Sequence, residues 1–256
     1  MGKQFRSLTC AAAALLLMAA TPSHAEVVAD WLAVAPKALS ASPRAQSGRA
    51  SVLANLAMFN ALNAITPRYT SYGPAVDPVP DASPDAAAAT AAFTVLSSVP
   101  GADQAALAKT LEESLKPVTD AAARAKGAAL GKRVAYALLA SRADDVFARV
   151  EPAKRDAAAG VYELTADHKM ESSVAIIRMR PFAIASVNAY DPGPPPAPDS
   201  VVAKRDLAEV KAIGARNSAT RSADQSVAAV FWNSGEDSDG LPFFQRIADA
   251  RKLSSL

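Results

Sequence analysis

Apolar residues recur at intervals of three and four along most of this chain, and proline, glycine and hydroxyl residues punctuate the intervals. From 47 to 65 the series Val52, Leu53, Leu56, Ala57, Phe59, Leu62 and Ile65 predicts an amphipathic helix, ended by Thr66-Pro67. A helix before it, from Val27 to Leu39, carries Trp31, Leu32 and Ala35 on one stripe and meets Pro36 near its end. After a proline-rich loop over 67–82 holding Tyr69 and Tyr72, Ser83 has the character of an N-cap. Pro84 then takes the first helical position and Asp85 favours the helix dipole, opening a helix through about Ser97.

Further helices are predicted from about Ala102 to Leu115 and from Pro117 to about Ala143. Gly127 and Gly131 lie inside the second of these, where each costs about 1 kcal/mol against alanine. Close approach of another helix is the expected compensation. The stretch 146–185 is hard to read, with Ser173 to Ile177 and Phe182 to Ile184 as candidate short extended pieces. Pro192, Pro194, Pro195, Pro196 and Pro198 then mark an extended surface connection from Tyr190 to Ser200. A helix from about Val202 to Ile213 is expected to stop at Gly214 in a left-handed C-cap. Ser222 and Gln225 have capping-box spacing ahead of Val227, Val230, Phe231 and Trp232, so another helix starts there. A last one is expected from Pro242 to Lys252. The fold class is therefore all-α, a helical bundle.

Composition sharpens this picture. Hydrophobic residues make up 50% of the 256 positions but aromatics only 6%, so much of the core must be alanine, which suits closely packed helices better than a sheet. Lys3 and Arg6, an apolar run from Ala11 to Ala20, and Ser23-His24-Ala25 have the anatomy of a secretory signal cut after Ala25. The expected organisation is a signal over 1–25 and one helical domain over 26–256, periplasmic or secreted. Cys10 precedes the apolar run, whereas a lipoprotein cysteine would follow it. Subtracting Lys3 and Arg6 from 27 basic side chains leaves 25, against 25 acidic ones. Such neutrality implies no nucleic-acid partner, and no later apolar run is long enough to span a bilayer.

Past the signal the only histidine is His168 and there is no cysteine. Chemistry that needs two imidazoles, a thiol or a Cys/His metal cluster is excluded from this chain alone. His168, beside Asp167, is expected to be a solvated loop side chain because no second ligand has recognisable spacing. Arg142, Asp144 and Asp145 could bind an ion, but they fit better as a charged helix end. Counting the acidic turn 236–240 as a calcium loop puts Gly235 and Arg246 where Asp and Glu are needed, so that motif fails. Lys204, Arg205, Lys211, Arg216 and Arg221 alternate with acids as a solvated face, and Trp31, Phe59, Phe231 and Trp232 are expected to anchor helix contacts.

The segments Asp206–Gly214 and Thr220–Trp232 resemble bacterial proteins of the vanadium-dependent haloperoxidase and type 2 phosphatidic acid phosphatase superfamily. Arg49 to Ile65, Ser83 to Leu96, Gly127 to Asp145 and Pro192 to Pro196 fit the same pattern in order. Asn60 stands where relatives commonly carry aspartate, and Tyr190-Asp191 replaces a Phe-Arg. The resemblance implies the N-terminal helical half of that fold.

It also implies an oxyanion site, vanadate or a phosphoryl group, held by a lysine and arginines with two histidines at work. The family's three blocks are Lys followed, after six intervening residues, by Arg-Pro, then Pro-Ser-Gly-His, then Ser-Arg-x-x-x-Gly-x-His. Here Arg180-Pro181 has Ser173 in the lysine's place, Lys169 is too far away, Pro-Ser-Gly-His is absent, and Ser141-Arg142 meets Val146 where glycine is required. No catalytic, cofactor-binding or metal residue is therefore assigned, and vanadate is expected only in a complete family member. The chain ends at Leu256, about where relatives continue into the blocks. Three expectations follow: an inactive half that exposes apolar helix faces or self-associates, an enzyme completed by a separate chain carrying the C-terminal half, and a free-standing helical binding module.

Overall fold

A computed structural model describes residues 24–145, 179–233, 247, 250 and 251. Seven α-helices occur there: α1 (His24–Ala38), α2 (Arg44–Ile65), α3 (Pro84–Ser97), α4 (Gln104–Leu115), α5 (Ala121–Ser141), α6 (Val201–Gly214) and α7 (Ala223–Asn233), with a short 3-10 turn at Val187–Tyr190. Among the described residues there is no strand, so the chain is all-α. His168, Ser173–Ile177, the acidic turn and most of the expected last helix lie outside them.

Five helices make a bundle around α3. Ala86 to Ala92 and Val95-Leu96 are buried almost without interruption, so α3 has no solvent face and is covered by α1, α2, α4 and α5. A helix apolar all round belongs in an interior. Its start is the predicted one: the Ser83 Oγ accepts from the Ala86 N–H at 3.3 Å and Pro84 takes the first position.

Alanine on α3 lets α5 come close. A β-carbon on Gly127 would lie 2.4 Å from the Ser83 carbonyl oxygen, and one on Gly131 2.2 Å from that of Ala87. Those two glycines are the expected close approach. Larger side chains fill the remaining space, among them Trp31, Leu53, Met58, Leu107, Leu130 and Leu138, each at most 2% exposed.

Of the boundaries that differ from expectation, two have a plain cause. The long helix α5 starts at Ala121 because the Asp120 carboxylate accepts from the N–H groups of Ala122 and Ala123, and Pro117 sits in the turn before it. A side-chain cap settles a start better than a proline that only tolerates one. Gly214 is the last residue of α6 and not a left-handed cap, since positive φ among the described glycines occurs only at Gly73, Gly101 and Gly193. The carbonyls it was expected to cap are met from downstream. Arg221 Nη1 donates to the Ile213 and Ala215 carbonyls at 2.7 and 3.0 Å, and Ser218 Oγ to that of Ala212 at 2.6 Å.

The Ser222–Gln225 capping box forms as predicted, each backbone N–H meeting the other's side chain. Phe182 to Ile184 are bends and not an extended piece. The prolines over 190–200 run exposed to Ser200, which caps α6. Neither α6 nor α7 packs closely on a bundle helix, and Phe231 and Trp232, 52% and 83% exposed, lie outside the bundle core.

Candidate functional site

The most concentrated polar chemistry sits where α5 ends. Arg49, one turn into α2, points its Nε at Asp145 Oδ2 at 2.7 Å and donates through Nη2 to the Arg142 carbonyl at 2.7 Å. Arg142 Nε reaches the same carboxylate oxygen at 2.9 Å, while its other nitrogens donate to the Arg180 and Pro181 carbonyls. The Phe182 ring lies 4.1 Å from the Arg142 guanidinium carbon, and Tyr72 packs on Phe182. Arg180 in turn donates to the Ser141 carbonyl and stands 3.7 Å from Asp144.

Burial sets the character of this cluster. The Asp145 side chain is 0% exposed and that of Arg142 4%. Burial alone would push the Asp145 carboxyl up, but hydrogen bonds and charge from Arg49 and Arg142 outweigh it and hold the group below the ordinary carboxylate range. The charged helix end expected around Arg142 and Asp145 is thus a buried clasp, tying α2 to the end of α5 and to residues 180–182. Arg49 is the member that sequence spacing misses, because 96 residues separate it from Asp145.

What the clasp can do chemically is limited. Both guanidinium groups that touch Asp145 are also spent on backbone carbonyls. Beside it, Arg49, Ala50, Leu53, Val95, Val99 and Leu139 line an apolar cleft of about 250 Å³. A vanadate or phosphoryl group needs free cationic donors and an imidazole around one point. Arg180, of the chain's later Arg-Pro pair, is instead bound to the Ser141 carbonyl beside Asp144. These residues do not fit an oxyanion, and no reaction step follows from them.

A second groove, of about 420 Å³ between α1, α3 and α4, collects Glu26, Asp30, Asp85 and Glu113. Partial burial, then Glu26 and Glu113, pushes the Asp30 carboxyl up. Even so, no set of three carboxylates or imidazoles placed to hold a metal occurs among the described residues. Lys204, Arg205 and Lys211 are exposed on α6 as expected, whereas Arg221 is partly buried as the cap already described. Of the four expected anchors, Trp31 is buried at 1% and Phe59 packs on Tyr69 with ring centroids 6.1 Å apart.

Compared with known proteins, the chain matches no family model, no curated protein and no solved structure.

Proposed function

We propose that this chain is an exported helical scaffold, the N-terminal half of a vanadium-dependent haloperoxidase or type 2 phosphatidic acid phosphatase-like protein, with no catalytic centre of its own. One observation carries the reading. Three of the segments that bear the resemblance, those over 49–65, 83–96 and 127–145, meet in the bundle: Gly127 and Gly131 lie against Ser83 and Ala87, and Arg49 closes on Asp145. A sequence pattern made of helix contacts is what a scaffold would carry, and the Arg142 and Arg180 side chains, bound to their neighbours, supply no anion pocket. A separate polypeptide with the Lys/Arg-Pro, Pro-Ser-Gly-His and Ser-Arg blocks would bring the chemistry. Export to the periplasm or medium rests on the Lys3-to-Ala25 pattern. Among the described residues no helix is long and apolar enough to cross a membrane.

The test is turnover. Purified chain supplied with vanadate, bromide and peroxide, or with a phosphomonoester, is expected to show none, and to gain activity on mixing with a polypeptide that carries the three blocks. Turnover by the chain alone, abolished by replacing one of its own side chains, would sink the proposal. A second reading, a non-catalytic exported binding module, is favoured by the exposed apolar stripes of α6 and α7.

A further inference from the structure

Arg142 divides its guanidinium nitrogens between two kinds of partner. Nε meets Asp145 Oδ2 at 2.9 Å, inside the bundle, while Nη1 and Nη2 donate to the consecutive carbonyls of Pro181 and Arg180, which arrive from 39 and 38 residues along the chain. Phe182 completes the contact from the same segment. Its ring lies 4.1 Å from the Arg142 guanidinium carbon and 6.4 Å, centroid to centroid, from Tyr72. Arg180 reaches back to the Ser141 carbonyl, with Asp144 at 3.7 Å. From Ala183 to Asp199 the chain is exposed again, so the contact is short.

The receiving surface is held from within the bundle. Asp145, itself bound by Arg49 at 2.7 Å, fixes Arg142 without help from the segment, and Asn60 fixes the Tyr72 backbone with a hydrogen bond in each direction. In return the segment offers two main-chain carbonyls, a proline and one half-buried aromatic ring. A preorganised surface that reads a short irregular piece through its backbone and one side chain is built like a peptide receptor with its ligand. We infer that the end of α5 is a peptide-recognition site for a short Arg-Pro-aromatic segment, and that residues 180–182 are its ligand, bound within the same chain. Charge fits this occupant, since the arginine of the segment stands beside Asp144 and its ring covers the cation of Arg142. Release breaks only these side chain-to-carbonyl bonds and one ring contact, so the site opens while the core of the bundle stays folded. Covalent attachment holds the segment near the site at an effective concentration of roughly a millimolar, which a free peptide of the same sequence can match.

A fluorescent, end-blocked peptide of residues 179–184, Met-Arg-Pro-Phe-Ala-Ile, titrated with full chain tests this. The full chain carrying Arg180→Ala with Phe182→Ala has lost its own ligand and is expected to bind the peptide saturably, about tenfold or more tighter than the parent, whose site is already filled. Adding Tyr72→Ala to that variant should abolish the binding, because one aromatic wall is gone while the backbone bonds to Asn60 remain. A peptide with alanine in place of its phenylalanine should not bind. Equal affinity for parent and variant overturns the proposal, as does a scrambled peptide that binds as well, or no saturation up to about 5 mM, beyond the effective concentration of the attached segment. Circular dichroism decides one more case: a double variant that loses its helical signal would make 180–182 part of the core and sink the proposal too. None of these outcomes depends on the turnover test, since a catalytically active chain could carry the same site.

Discussion

The Ala87 carbonyl oxygen stands 2.2 Å from where a β-carbon on Gly131 would be, closer than any real side chain tolerates. Alanine at 131 must therefore push α5 off α3, and the obstacle is backbone, which cannot swing aside. We expect Gly131→Ala to destabilise the fold by about 2 kcal/mol, overpacking outweighing the roughly 1 kcal/mol that alanine gains in a helix. Gly48, also inside a helix, has nothing within 4 Å of its would-be β-carbon. There the propensity gain stands alone, so Gly48→Ala should stabilise by about 0.5–1 kcal/mol. Urea midpoints for the two variants moving in the same direction would refute the packing argument.

The amide of Asn60 works in both directions. It donates to the Tyr72 carbonyl at 2.7 Å and accepts from the Tyr72 N–H at 2.9 Å, while the side chain is buried at 1%. Asn63 clamps the same loop by accepting from Arg68 and Tyr69 and donating to the Tyr69 carbonyl. An ionised carboxylate at 60 could keep the accepted bond but would face the Tyr72 carbonyl with a charge. Asn60→Asp should cost about 2 kcal/mol or more at neutral pH and less in mild acid, where the protonated carboxyl can donate again. Chemical unfolding at pH 7 and pH 4.5 checks it, and a penalty equal at both would contradict the donor role.

How far the chain discloses itself depends on how local each signal is. Ser83-Pro84-Asp85 and Ser222 with Gln225 were legible because a cap involves residues three apart. Gly127 and Gly131 were legible because glycine in a helix is costly unless another backbone needs the space. The end of α6 was not, since Arg221 and Ser218 fold back to hold its carbonyls and no left-handed glycine is needed. Nor was the clasp, whose two helices are distant in sequence. Trp232, 83% exposed, shows a different limit. Periodicity tells which face of a helix is apolar, but it is silent on whether anything in the same chain covers it.

Asp145 links those distant parts, so its charge should be visible in acid. Its folded carboxyl titrates below the ordinary value of about 3.9, so the clasp adds stability above that pH and loses it as pH falls through the lower, folded value. Asp145→Asn leaves the buried Arg142 without its counter-charge and should cost about 3 kcal/mol at pH 7. The difference from wild type should shrink as pH drops below about 3.9. Asp144→Asn is the control: that side chain is 73% exposed and 3.7 Å from Arg180, worth no more than about 0.5 kcal/mol. Equal losses from both variants would mean that burial of the pair is not what matters.

Asp30 should behave with the opposite sign. Partial burial first, then repulsion from Glu26 and Glu113, raises its carboxyl above the ordinary range, so the folded state prefers the protonated form. Its ionisation therefore works against folding: the penalty is absent below about 3.9 and grows as pH rises through the raised value. Asp30→Asn cannot ionise and should gain stability at neutral pH, with the gain vanishing in acid. Because the side chain is largely exposed, solvent screening limits the gain to a few tenths of a kcal/mol. Salt supplies an independent check. If like charges across the groove are responsible, 0.5 M sodium chloride should narrow the gap between variant and wild type at pH 7, since the Debye length then falls to about 4 Å. A gap that salt leaves unchanged would point to burial alone, and a destabilised Asp30→Asn would remove the account altogether.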